Sequence, residues 1–185
     1  MTATTLVVGD IHGCADELAA LLDRVGPDRV VLVGDLYTRG PKPEAVWDQV
    51  RAGGFQAVLG NHDDRLLEAA AGGRPHDTVG AECVARLDAA DATSTAGPPR
   101  SWLAWLAARP LFSTLEAMPS MLPAEGSARA GFVVVHAGLH PVGGVQATTR
   151  KAALTLRRWP DERATDPLWW QLYRAPAPAL VKQRT

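Results

Sequence analysis

The chain has 185 residues, 46% of them hydrophobic, enough to bury one sizeable core, and it sets 19 Lys and Arg against 20 Asp and Glu. That balance supplies no global field to recruit nucleic acid or an anionic membrane surface. Cys14 and Cys83 are too few for a disulfide framework, and neither a secretory leader nor a bilayer-length apolar run is read, so we expect a cytoplasmic protein with no nucleic-acid or membrane partner.

Thr5-Leu6-Val7-Val8 predicts a buried first strand that ends at Gly9-Asp10-Ile11-His12-Gly13. Between Asp16 and Val25 the apolar positions Leu18, Leu21, Leu22 and Val25 recur at helical spacing, and Gly26-Pro27 stops that helix. Val30 to Val33 predicts a second buried strand, which leads into Gly34-Asp35-Leu36-Tyr37-Thr38-Arg39-Gly40-Pro41. A helix with Pro43 near its start and Val46, Trp47 and Val50 on its inner face runs to Gly53-Gly54. The third strand, Gln56 to Leu59, ends at Gly60-Asn61-His62-Asp63. Such alternation builds a parallel sheet, whose ligands gather beyond the carboxyl ends of the strands.

Helices are then predicted at Leu66 to Ala71, at Val79 to Leu87 and around Trp102 to Leu106, with a loop from Thr93 to Pro99. This stretch, roughly residues 64–110, reads as a small helical cap beside the site, with its tryptophans in the core. Strands follow at Leu111 to Leu115 and Gly131 to Val135, with a hairpin partner near Met118 to Leu122; the last delivers His136-Ala137-Gly138. Thr148 to Arg157 reads as helical, and residues 1–185 as a single α/β domain.

Two carboxylates, one amide and two or more imidazoles at strand ends make a mixed oxygen and nitrogen donor set. It suits Mn2+ first, with Fe, Zn2+, Ni2+ and Co2+ as alternatives. Asp10 and His12, two apart, point to the same side of an extended segment and can grip one ion. Asp35 has an oxygen for each of two ions, with Asn61 and His136 on the second. Two such metals share a water and clamp the oxygens of an in-line phosphoryl displacement. Arg39 is then expected on phosphate, His62 as general acid for the leaving oxygen, and Asp63 beside them as a further catalytic candidate.

Asp-X-His, Gly-Asp-X-X-X-Arg-Gly and Gly-Asn-His-Asp resemble the motifs of the calcineurin-like metallophosphoesterases, in the branch holding PPP-type protein phosphatases and bacterial symmetrical diadenosine tetraphosphate hydrolases. The resemblance covers Thr5 to Pro141. It implies a sandwich of two sheets flanked by helices, and a dinuclear site with Asp10, His12 and Asp35 on one metal and Asp35, Asn61 and His136 on the other. The protein phosphatases carry an acid supporting the catalytic His where this chain has Thr38. That difference favours a small phosphorylated substrate, a dinucleoside polyphosphate ahead of a phosphoprotein. The family also supplies a late second-metal His, and here no His follows His140. A truncated C-terminus, or a catalytically impaired metal-binding remnant, is the expectation this raises.

Overall fold

The structure, a computed structural model, describes residues 3–72, 78–93, 98–116 and 131–172. The chain divides into two compact units, 1–110 and 111–185.

In the first unit, β1 (Thr5–Val8), β2 (Arg29–Leu32) and β3 (Gln56–Ala57) form a parallel sheet in that order, with Leu6 paired to Val30 and Leu32 to Ala57. The connections are α1 (Ala15–Val25) and α2 (Pro43–Gly53), each closed by a left-handed glycine, Gly26 and Gly54. The central strand β2 buries Val30, Val31 and Leu32. Full burial of such side chains contributes about 1.5–3 kcal/mol each.

The sequence predicts β1 as buried, but its side chains alternate between exposed and half-buried. Among the described residues it pairs with β2 alone. β3 is shorter than expected. Even so, the Val58 amide still donates to Leu32 O at 3.0 Å and the Leu59 amide to Pro110 O at 2.9 Å, which carries the backbone to Gly60.

The next helix, α3 (Asn61–Ala70), starts five residues before the predicted Leu66, so Asn61, His62 and Asp63 are its first turn. Two further helices follow, α4 (Thr78–Thr93) and α5 (Ser101–Ala107), with α4 packed on α2, α3 and α5. Asp91 ties these helices together. Its carboxylate accepts from Trp47 Nε1 at 2.9 Å, Ser101 Oγ at 2.9 Å and the Trp102 amide at 3.1 Å. Trp102 is fully buried, donates to Asp88 Oδ1 at 2.8 Å, and stands edge-on to the buried Tyr37. The core reading holds for Trp102, as it does for Trp47 of α2, whereas Trp105 is half-buried, with the Arg109 guanidinium carbon 4.2 Å from its ring centroid.

In the second unit, β4 (Phe112–Glu116) pairs antiparallel with β5 (Gly131–Val135), Phe112 opposite Val135. The predicted partner at Met118 to Leu122 lies outside the described residues. The helix expected from Thr148 to Arg157 is α7 (Arg150–Thr155), preceded by the short α6 (Gly144–Ala147); Thr149 caps α7 by accepting the Ala152 amide at 3.2 Å. The last element is α8 (Trp169–Leu172).

Candidate metal centre

Three strand-end loops of the first unit are laced to one another around Asp35. The Asp35 carbonyl accepts the Ile11 amide at 3.1 Å and the His12 amide at 2.8 Å, and Leu36 O accepts the Gly13 amide at 2.8 Å, which joins the first loop to the second. The third loop is joined through Asp63, buried to 1% exposure. Its Oδ2 accepts the amides of Asp35 (2.8 Å) and Gly60 (3.0 Å), and its Oδ1 accepts that of Leu36 (2.9 Å). In return the His62 amide, in the first turn of α3, donates to Asp35 Oδ1 at 2.8 Å, where the helix dipole favours a carboxylate.

This lacing demands unusual backbone. Among the described non-glycine residues five have positive φ, and three are His12 (50°), Asp35 (53°) and Arg39 (76°), all candidates from the sequence. His12 therefore does not reach its place from an extended segment, as its spacing from Asp10 suggests; a left-handed turn delivers it. Gly60 lets the second and third loops meet, since a Cβ there would lie 2.3 Å from both Asp35 N and Asp35 Oδ1.

The His12 ring faces both carboxylates. His12 Nε2 lies 3.8 Å from Asp10 Oδ2 and 3.7 Å from Asp35 Oδ2. These separations are too long for hydrogen bonds, yet short enough for a cation about 2 Å from both atoms to sit between His12 and either carboxylate. On its other side His12 Nδ1 lies 3.1 Å from Thr38 O. A carbonyl can only accept, so the proton sits on Nδ1 and the Nε2 lone pair faces the carboxylates, as a metal-binding imidazole requires. The donor set therefore fits a divalent ion. Thr38 Oγ1 is buried and has no hydrogen-bond partner among the described residues, His62 included.

Around this point stand the remaining first-unit candidates. The His62 ring meets the His12 ring edge-on, centroids 5.2 Å apart, and exposed Arg39 brings Nη1 to 3.5 Å from His12 Nε2. Asn61 opens α3, half-buried. Burial holds the His62 imidazole below its ordinary value against the opposing pull of Asp35, with Arg39 and His12 adding to the lowering. Burial also pushes the Asp63 carboxyl up to about 6, while the Leu36 amide pulls the other way. Both Asp63 oxygens are taken by backbone amides, so this carboxylate positions the Asp35 turn. Sequence reasoning places Asp63 among the catalytic groups; the signal for its clamping role is an acid three residues after Gly60 at a helix start, the spacing of a capping box. The part of the Thr38 carbonyl has no sequence signal, being backbone.

In the second unit, His136 follows the last residue of β5, half-buried, next to Ala137, whose amide donates to Ala153 O at 2.9 Å. His140 is held within its own loop: Nδ1 accepts the Gly143 amide at 3.0 Å, and the ring packs on Trp159 with centroids 4.3 Å apart.

Comparison with known proteins places these motifs. Residues 3–182 match the calcineurin-like phosphoesterase family. A Cronobacter sakazakii protein named symmetrical bis(5'-nucleosyl)-tetraphosphatase is 36% identical over 147 residues, covering 75% of this chain and 44% of that protein. One of the same name from Chromohalobacter salexigens is 34% identical over 169 residues, covering 88% and 55%. A crystal structure of a protein proposed to be a diadenosine tetraphosphatase superposes with a TM-score of 0.65 at 26% identity, covering 95% of this chain and 72% of the other. The chain spans about half the length of the curated relatives it matches. No helix among the described residues is long and apolar enough to cross a membrane.

Proposed function

The chain belongs to the calcineurin-like phosphoesterase family, which implies divalent metal ions, and from that premise we propose that it is a dinuclear metal-dependent phosphohydrolase acting on a dinucleoside polyphosphate. Diadenosine tetraphosphate, cut at its middle anhydride into two ADP, is the favoured substrate. The observation that carries the reading is His12, with Nδ1 committed to Thr38 O and Nε2 facing the Asp10 and Asp35 carboxylates. Names borne by relatives at about 35% identity support the substrate class.

In this reading Asp10, His12 and Asp35 hold one ion, and Asp35, Asn61 and His136 the other, with Mn2+ the preferred metal. Ions bound there supply Lewis-acid stabilisation of phosphate charge and a water of lowered pKa. The protein's own groups do the rest. Arg39 grips phosphate oxygens with its planar fork, His62 gives a proton to the leaving oxygen, and Asp63 keeps the Asp35 turn in place. A phosphoprotein is less favoured, because Thr38 offers His62 neither a carboxylate nor a bonded hydroxyl. The unpaired Cys14 and Cys83 support a reducing cytoplasm.

The test is turnover of diadenosine tetraphosphate, bis(p-nitrophenyl) phosphate and a phosphopeptide with added Mn2+, beside an Asp35→Ala control. Hydrolysis of the dinucleotide to ADP supports the proposal; preference for the phosphopeptide would replace the substrate, and no turnover above the control would remove the enzyme.

A further inference from the structure

Arg39 sits on an arm pinned from two sides. Toward the first loop the fit is tight: a Cβ on Gly40 would lie 1.7 Å from His12 O, and the Lys42 amide donates to Gly13 O at 3.0 Å. The opposite side is held from the helical region. Arg86 of α4 donates through Nη2 to Pro41 O at 2.6 Å and to Glu44 Oε1 at 2.7 Å. Pro41 lies two residues after Arg39, and Glu44 is in the first turn of α2. The Arg86 and Glu44 side chains are 35% and 34% exposed, so this charge-assisted pair is better shielded than an ordinary surface ion pair. Burial raises the Glu44 carboxyl, but the Arg86 hydrogen bond outweighs it with help from neighbouring groups, and the net direction is down.

We infer that Arg86 is a positioning residue: by holding Pro41 O and Glu44 it fixes the Arg39–Pro41 arm from the α4 side, and so sets the reach of Arg39 toward a bound phosphate. The inference rests on the proposed role of Arg39 as phosphate ligand. The left-handed backbone of Arg39 itself is the reason an anchor is needed, because that conformation is held by surroundings and not by local preference. Arg86 also lines the same cavity as Arg39, about 400 Å³, together with Tyr37, Glu82 and Cys83. Direct contact with substrate is therefore the competing role. It differs in one respect: a direct ligand acts without Arg39, and a positioning residue acts only through it.

A double-mutant cycle separates the two, read as KM for diadenosine tetraphosphate and, independently of turnover, as affinity of the Mn2+-loaded full chain for inorganic phosphate by calorimetry. Arg86→Ala should raise KM and the phosphate Kd about 10-fold, since a small misplacement of a binding group costs up to two orders of magnitude. Arg86→Lys, whose ammonium can still donate to both oxygens, should recover all but about two-fold. In an Arg39→Ala background, Arg86→Ala should change neither value by more than about two-fold. Glu44→Ala, which leaves Arg86 in place and removes its second anchor, should shift both values in the same direction. An Arg86→Ala effect that persists undiminished without Arg39 would make Arg86 a ligand and overturn the inference. So would a fall in thermal midpoint with KM and Kd unmoved. If Arg39→Ala itself leaves both values unchanged, the role proposed for Arg39 fails first and the inference with it.

Discussion

Asp63 Oδ2 accepts the backbone amide of Asp35 at 2.8 Å, so one buried acid fixes the turn that presents another. Asp63→Asn exchanges an acceptor for an amide group that faces a backbone N–H, and Asp63→Ala leaves all three amides without their partner. Either substitution should cost about 3 kcal/mol in urea unfolding, the range for buried groups left unpaired. Activity should fall about 100-fold in the fraction that stays folded, as expected when a metal-holding turn shifts by an ångström. A catalytic role without a clamping one would lower activity and leave the unfolding midpoint in place.

The glycines of the motifs differ in what they tolerate. Gly60→Ala places a methyl 2.3 Å from Asp35 N, whereas a methyl on Gly9 meets nothing within 4 Å, and Gly9 has no left-handed backbone. Thermal or denaturant unfolding should show Gly60→Ala destabilised by about 3 kcal/mol, the upper range for overpacking. Gly9→Ala should stay within about 0.5 kcal/mol of the parent.

Asp91 should make the helical region sensitive to acid. Burial raises its carboxyl, but the bonds from the Trp102 amide, Trp47 and Ser101 together outweigh it, so its folded value lies below the ordinary one. A depressed carboxylate contributes stability that is present above its unfolded value and is lost as pH falls through the folded one. Between pH 7 and pH 3 the parent chain should therefore lose more stability than Asp91→Asn, measured by denaturant midpoints. Equal losses would remove Asp91 from the acid response.

The strand-end motifs were legible because each combines an apolar run, a glycine and a donor side chain, and three such ends in a β-α-β-α-β segment must lie along one sheet edge. That logic places Asp10, His12, Asp35, Asn61 and His62 in one region without any knowledge of their contacts. It fails where the contact is backbone or distant. The Thr38 carbonyl that orients His12 has no side-chain signal, and Arg86 meets Pro41 across 45 residues. The conformation of His12 was also hidden, since a left-handed non-glycine residue is imposed by the Asp35 carbonyl that accepts its amide. Nor could the apolar character of β1 reveal that its side chains alternate between exposed and half-buried, because burial depends on neighbours and not on composition alone.

Asp35 is the proposed ligand common to both ions, and Asp35→Asn probes that role. Asn can keep an oxygen in the place of Oδ1, which accepts the His62 amide, and set an amide nitrogen in the place of Oδ2, so the fold should hold while the ligand is lost. Mn2+ titration by calorimetry, with elemental analysis of the dialysed protein, should find two ions per parent chain and none held tightly by Asp35→Asn. An Asp35→Asn chain that binds Mn2+ as the parent does, or a parent that binds none, would rule out Asp35 as the ligand of a dinuclear centre.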